Sequence, residues 1–539
     1  GTSDHNSVRF NIAFNTILPK NSVTVPDFRL ANFNDLRDTL KGLTNTYRLG
    51  KNADESLSNF MTILKSAEAN HIPRKVRRKT INQPKYWDRE LKTLLSDKKS
   101  KFILWKNSAN DHNSIMFFES RRIFKRKLRQ KRREYEIELA RNAQSNPKQF
   151  FSYISSKGNY RPSIGPLHGV NQELITDDTA KCEVFIEYFA SVYTKENEEQ
   201  CPIAIDLITE NNIEPMDDIF FFPDTVARYI AKLKTTKSPG PDHIHPRILK
   251  EVVNQISTPL ANIFNQSLES EECPLQWKEA NVTPIFKKGK KTDPSNYRPI
   301  SLTSILGKLM ESIITDNIVS YLEENNFIGN TQHGFRRHRS CLTNLLLFFH
   351  KIVEIHDTKS PLDIIYLDFQ KAFDKVPHRR LISKLEGIGI RGHTKNWIQS
   401  WLSNRKQRVV LNGNCSNWAN VTSGVPQGSV LGPVLFIIYI NDLDTDIMTH
   451  IGKFADDTKL GGKAITKQDV DQIQNDLNKI EEWARKWQMN FNVDKCKVMH
   501  VGRSNHRHDY HMGGQPLAKV TDEKDLGIII SNDLKPSKQ

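Results

Sequence analysis

The chain has 539 residues, 37% of them hydrophobic, enough for two to four domains with cores of their own. Its 78 lysines and arginines outweigh 62 acidic residues, giving a net charge of +16 and a pI near 9.3, so a polyanionic partner is expected and an acidic, disordered chain is excluded. The longest apolar run, Val434 to Ile440, falls far short of the ~20 residues of a spanning helix, no secretory signal is seen, and no Cys-x-x-Cys pair links the six scattered cysteines. The expectation is a protein with reduced thiols and no zinc site, neither secreted nor membrane-bound.

In chain order, a polar turn at Ser3-Asp4-His5 precedes alternating Val8, Phe10, Ile12 and Phe14, a strand that cannot bury its face alone. Residues 18–70 read as a linker with helices from Phe33 to Leu43 and Glu55 to Ala69. Residues 71–218 read as a basic, mostly helical extension. Its centre is a long helix with a narrow apolar stripe, Ile123, Phe124, Leu128, Tyr135 and Leu139. Arg121, Arg122, Lys125, Arg126, Arg129, Arg132 and Arg133 lie along it, and no acidic residue interrupts Arg121 to Arg133. A solvated charged face normally mixes signs, so a surface for nucleic-acid phosphates is the favoured reading, one that holds without reading sequence. The acidic stretch Lys195 to Asp218 marks the expected boundary to a second half.

That half, residues 219–530, carries a short strand, Val282 to Phe286, a basic glycine-containing turn with Lys287 and Lys288, and then Asn296-Tyr-Arg298-Pro-Ile-Ser. Two lysines and an arginine on one hairpin either clamp a triphosphate or simply make a basic tip. Gln332 to Arg339 is a further basic loop. A buried-looking strand ends at Asp368, where a carboxylate either presents chemistry or caps the next helix. Gly424-Val-Pro-Gln427-Gly428 is dense in turn formers. The apolar run from Val434, then Lys453-Phe-Ala-Asp456-Asp457-Thr-Lys-Leu460, reads as strand, tight turn with the two aspartates near its tip, and strand. Adjacent carboxylates resist joint ionisation unless a divalent cation joins them, although two aspartates also suit a plain solvated turn. Val470, Ile473, Leu477, Ile480, Trp483 and Trp487 make an amphipathic helix, followed by Asn492…Lys495 and Glu523 to Ile528.

Taken together, Tyr366-Leu-Asp368…Phe373-Asp374, Gly424 to Gly428, Phe454-Ala-Asp456-Asp457 and Asn492…Lys495 resemble, in order, the palm of a reverse transcriptase. Asn296 to Ser301 resembles its fingers. The wording is that of LINE-type retrotransposons, elements without long terminal repeats, on the jockey-like branch. The resemblance implies an α+β fold: the fingers and palm of a right-hand polymerase, preceded by the basic helical extension. It implies an RNA-directed DNA polymerase that adds dNTPs to a DNA primer on a template RNA, serving element mobility, with an element-encoded RNA-binding protein as a further partner. Two Mg²⁺ ions, or Mn²⁺, would be shared by Asp368, Asp456, Asp457 and the carbonyl of Phe369. Phe373 would exclude a ribose 2′-hydroxyl, unless it is ordinary core. Gln427 and Gly428 would face the template–nucleotide pair, Arg298, Lys287 and Lys288 the triphosphate, and Lys495 would act as general acid, unless it is a plain surface lysine. Asp374 and Asp442 are expected to be structural. Ser3-Asp4-His5 resembles the last motif of the endonuclease/exonuclease/phosphatase fold, so residues 1–17 read as its remnant, without endonuclease activity. Residues 531–539 read as a truncated tail with the thumb absent. A catalytically impaired nucleic-acid-binding remnant is the alternative. A ribonucleoprotein in nucleus and cytoplasm is the expected setting.

Overall fold

The structure, a computed structural model, describes residues 24–43, 47–76, 86–108, 110–157, 164–169, 172–197 and 201–535. Asp4 and His5 lie outside the described residues. The chain divides into two compact units, one taking in 74–165 and the other 26–73 and 166 onward. The second unit therefore includes two stretches expected elsewhere, the linker and the acidic boundary.

Amphipathic helices explain the first of these. Helices α1 (Phe33–Leu40) and α2 (Ala53–His71) bury Leu36, Leu40, Leu57, Phe60 and Leu64 in the same core as the rest of the large unit. Ser56 Oγ donates to Gln266 Oε1 at 2.6 Å and Arg37 pairs with Glu251 at 2.6 Å, tying both helices to residues about 210 positions away. An apolar face that finds a core stops being a linker.

The smaller unit is a helical hairpin, α3 (Arg89–Asn107) and α4 (Asp111–Arg141), each capped by its preceding residue: Asp88 accepts from the Leu91 N–H and Asn110 from the Asn113 N–H. Trp87 meets Phe124, and Trp105 stacks on Phe117. Lys127 and Lys131 of α4 pair with Glu90 and Asp88 at 2.9 and 2.7 Å, so those two basic residues knit the hairpin. Arg121, Arg122, Lys125, Arg126, Arg129, Arg132 and Arg133 are all exposed. Arg132 is engaged with Glu136 at 2.8 Å.

In the large unit, strands β1 (Glu279–Phe286) and β2 (Tyr297–Leu302) form an antiparallel hairpin. Helices α5 (Ile305–Glu324) and α6 (Cys341–Asp357) follow, then β3 (Leu362–Leu367). Strand β4 (Arg405–Leu411) lies parallel to β1 and is flanked by β5 (Ala419–Val421), giving one sheet in the order β5-β4-β1-β2. After helix α7 (Gly432–Tyr439) comes a second hairpin, β6 (His450–Phe454) and β7 (Asp457–Lys463). Helix α8 (Lys467–Lys486) and strands β8 (Lys497–Val501) and β9 (Ala518–Val520) complete the second sheet, in the order β6-β7-β3-β8-β9. Strands β10 (Asp522–Asp525) and β11 (Ile528–Ser531) make a separate small hairpin.

The run from Val434, expected to lead into the turn as extended chain, is helical instead. Pro433 occupies the first helical turn, and every residue from Val434 to Tyr439 is buried. A helix covered on all sides has no polar stripe, so its sequence carries no period to distinguish it from a buried strand. Trp397 and Trp401 are fully buried. Asp442 joins Lys384 at 2.5 Å and accepts from Trp483 Nε1 at 2.9 Å, a structural role.

Candidate active site

The site forms where β3 ends. Strand β3 runs antiparallel to β7, and the last pair in register is Leu367 with Thr458. One residue beyond, Asp368 therefore stands level with the Asp456-Asp457 turn. Residues 88 positions apart in sequence are joined by sheet register alone.

The turn itself is held from outside. Phe454 pairs with Asp457, leaving Ala455 and Asp456 as the two central residues, with Ala455 in the left-handed region at φ +53°. A non-glycine residue holds that conformation only when its surroundings fix it. Gln332, fully buried, does so: its Oε1 accepts from the Ala455 N–H at 2.9 Å and the Gly334 N–H at 2.7 Å. His333 N–H donates to the Lys453 carbonyl, and Lys453 N–H to that of Thr331, both at 2.9 Å. A side chain on Gly334 would collide with the Ala455 nitrogen at 2.3 Å. The Gln332-His-Gly segment is thus a brace for the turn, a role its basic surroundings hide in the sequence.

Charge in the site is only partly compensated. Lys495 Nζ lies 3.2 Å from Asp368 Oδ2. Burial raises the Asp456 pKa above the ordinary carboxylate value, and Asp368 adds to the rise. Asp457 reaches solvent, yet desolvation by the protein around it, followed by the charges of Asp456, Asp368 and Asp525, pushes its carboxyl up to about 6. Asp456 and Asp457, whose ionised forms the site disfavours, are suited together with the adjacent Asp368 to a cation, whose charge would remove the penalty. Among the described residues, no three His, Cys, Asp or Glu side chains are gathered closely enough to hold an ion by themselves.

Beside these carboxylates opens a cleft of about 730 Å³ that both Asp368 and Asp456 line. The same cleft is lined by Lys287, Lys288 and Arg298 from the β1–β2 hairpin, by Phe369 and Phe373, by Gln427 and Gly428, and by Lys495. Asp457 lines a neighbouring cavity of about 200 Å³ that also touches the β10–β11 hairpin. The expected nucleotide-binding residues are brought together; Asp457 does not line their cleft, but its own cavity shares Lys288, Asp368 and Lys495 with it. Desolvation and the neighbouring Arg298 lower the Lys287 pKa, while Asp368 and Asp456 pull it back up.

Phe373 is half-buried, stacked on Phe436 with centroids 4.6 Å apart and edge-on to Phe335 at 6.0 Å, so its ring is a rigid wall. Phe369 stacks on Phe491 at 4.1 Å and is buried, leaving only its backbone for a ligand. The Gly424–Gly428 loop is clamped on both sides. Val425 N–H donates to the Phe373 carbonyl, and Ser301 N–H to that of Gln427, both at 2.7 Å. Gly428 sits at φ +120°, and a Cβ there would meet the Ser301 carbonyl at 2.6 Å. Asp374 does more than pack: its Oδ1 accepts from Gln427 Nε2 at 3.0 Å, fixing that amide at the cleft, and burial raises its carboxyl to about 6.

Residues 286–530 match the family model described as reverse transcriptase (RNA-dependent DNA polymerase). A probable RNA-directed DNA polymerase from transposon X-element of Drosophila melanogaster is 29% identical over 391 residues, covering 69% of this chain and 42% of that protein. The RNA-directed DNA polymerase from mobile element jockey of the same organism is 30% identical over 325 residues, covering 58% of this chain and 35% of that protein. A solved apo telomerase from Candida tropicalis, truncated from its C-terminal domain, aligns over 54% of this chain and 68% of that chain, at 12% identity and a TM-score of 0.35. The chain spans less than half the length of the curated relatives named here.

Proposed function

We propose that this chain, whose residues 286–530 are a reverse-transcriptase domain of the LINE-type, jockey-like kind, extends a DNA primer on an RNA template with deoxynucleoside triphosphates. The observation that carries this reading is one cleft shared by Asp368 and Asp456 from separate strands and by the basic β1–β2 hairpin. Reverse transcriptases use divalent metal ions. Here two Mg²⁺ ions, with Mn²⁺ as the substitute, would be held by Asp368, Asp456 and the Phe369 carbonyl, with Asp457 at the margin. They would supply charge stabilisation for the attacking and leaving oxygens.

The chain's own residues do the rest. Arg298, Lys287 and Lys288 hold the triphosphate by charge and hydrogen bonding. Phe373, braced by Phe436, lies under the sugar and leaves no room for a 2′-hydroxyl. Gln427, fixed by Asp374, and Gly428 present a flat surface to the template–nucleotide pair. Lys495, released from Asp368, gives a proton to the leaving pyrophosphate. The exposed arginines and lysines of α4 hold the nucleic-acid backbone, with an element-encoded RNA-binding protein as a further partner in a ribonucleoprotein of nucleus and cytoplasm.

The test is primer extension on an RNA template with Mg²⁺, beside Asp456→Ala. Extension in the parent and a loss of at least about a thousandfold in the variant support the reading. Equal activity in both would sink the assignment of Asp456. Tight primer–template binding without extension in either would favour the nucleic-acid-binding remnant.

A further inference from the structure

Shortly after Asp368 a single helical turn, Ala372–Lys375, carries a lysine at each end: Lys371 just before it and Lys375 as its last residue. Lys371 adopts φ +48°, donates to the Ser295 carbonyl at 3.1 Å and sits 5.2 Å from the Tyr188 ring centroid. Lys375 Nζ donates to Gln370 Oε1 at 3.0 Å. Both ammonium groups are thus held by neutral partners, and among the described residues neither lies within ion-pairing distance of a carboxylate.

They face a cavity of about 430 Å³ whose lining includes Tyr188, Gln370, Lys371, Lys375, Asn492 and Lys495 and, among the described residues, no acidic one. Tyr188, Lys371 and Lys495 also line the nucleotide cleft, so the two spaces adjoin at those three side chains. The cleft mixes carboxylates with cations; among the described residues, the charged lining of the adjoining cavity is all cationic. A small polyanion displaced from the Asp368 side would leave the carboxylates behind while staying among lysines along this path.

We infer that this cavity is an exit channel for inorganic pyrophosphate, with Lys371 at its entrance and Lys375 further in. The inference rests on the polymerase reading, in which the α–β phosphoanhydride bond breaks and pyrophosphate is released beside Lys495. It adds a binding site, and a residue, Lys375, that does not line the nucleotide cleft. Neutral hydrogen-bond donors from Tyr188 and Asn492 suit transient binding, since a counter-charged trap would slow release.

The experiment compares the parent with Lys375→Glu, Lys375→Gln and Lys375→Arg, using sodium pyrophosphate as the probe. In primer extension, the pyrophosphate concentration giving half inhibition should rise about tenfold for Lys375→Glu, roughly 1.4 kcal/mol of lost affinity. The KM for the nucleotide should change less than twofold, and Lys375→Arg should restore the parent value. Unchanged inhibition in Lys375→Glu, or a parallel rise in nucleotide KM, overturns the channel. Calorimetric titration of pyrophosphate separates this from the polymerase reading. If the parent binds pyrophosphate and Lys375→Glu does not while neither extends a primer, the anion site stands and the polymerase reading falls. If both bind equally, the site is refuted whatever the extension assay shows. Matched thermal melting of the variants guards against misfolding.

Discussion

Strand β3 carries two aspartates five residues apart, Asp363 near its start and Asp368 just past its end, and they live in opposite circumstances. Asp363 is 1% exposed, yet fully engaged: His500 Nδ1 lies 2.6 Å from Oδ1, Asn505 Nδ2 donates to the same oxygen at 2.8 Å, and Tyr510 OH donates to Oδ2 at 2.7 Å. Asp368 is half-exposed, with Lys495 at 3.2 Å and two further carboxylates beside it. A buried charge is stable only when the fold supplies its partners. At Asp363 the fold does so, and the residue serves as a clasp between β3, β8 and the loop beyond. At Asp368 the fold supplies one exposed lysine and sets two further carboxylates beside it, leaving negative charge for a ligand to meet. One end of the strand is built for stability, the other for chemistry.

Substitutions at the two ends should therefore separate stability from activity. Asp368→Asn is expected to remove primer extension by about a thousandfold or more while leaving the melting temperature of the metal-free protein unchanged or higher. A large drop in melting temperature would mean that Asp368 is structural after all. Asp363→Ala should do the reverse, costing about 3–5 kcal/mol in denaturant unfolding because the polar groups around it lose their acceptor. An unfolding midpoint equal to the parent's would refute the clasp.

Within the cleft, Phe373→Val should raise ribonucleotide incorporation roughly tenfold to two-hundredfold relative to deoxyribonucleotide, read as the ratio of kcat/KM values. An unchanged ratio would return Phe373 to ordinary core packing. For the helical hairpin, Arg129→Gln should lower the slope of log binding constant against log salt by about one, evenly across sequences. No change in slope would leave α4 a solvated face.

The smallest effect expected concerns Asp457. Its folded carboxyl titrates at about 6, above the ordinary 3.8, so its contribution to stability is fully present below about pH 3.8 and is lost as pH rises through 6. Asp457→Asn should therefore melt higher than the parent at pH 7.5 without metal. The gap should close as pH falls below 4, and Mg²⁺ should narrow it by raising the parent. A gap that ignores pH would place its cause elsewhere.

Much of this was legible in the sequence where the physics is local. The strand ending at Asp368, the β1–β2 hairpin, the paired aspartates near a turn and the amphipathic α8 helix each follow from alternation, turn chemistry or a 3.6-residue period. The order of the motifs indicated which chemistry they share. Positions 434–439 were misread because a helix buried on every side shows no period. Residues 18–70 read as a linker with helices because an amphipathic face does not announce its partner. The bond from Gln427 to Asp374 and the brace that Gln332 gives the Asp456 turn were not readable either. The motifs, through the family they resemble, thus marked which residues could do the chemistry. Only tertiary structure decided which carboxylates were enclosed by hydrogen-bond partners and which were gathered beside one another at a cleft, because that depends on register and burial between residues far apart in sequence.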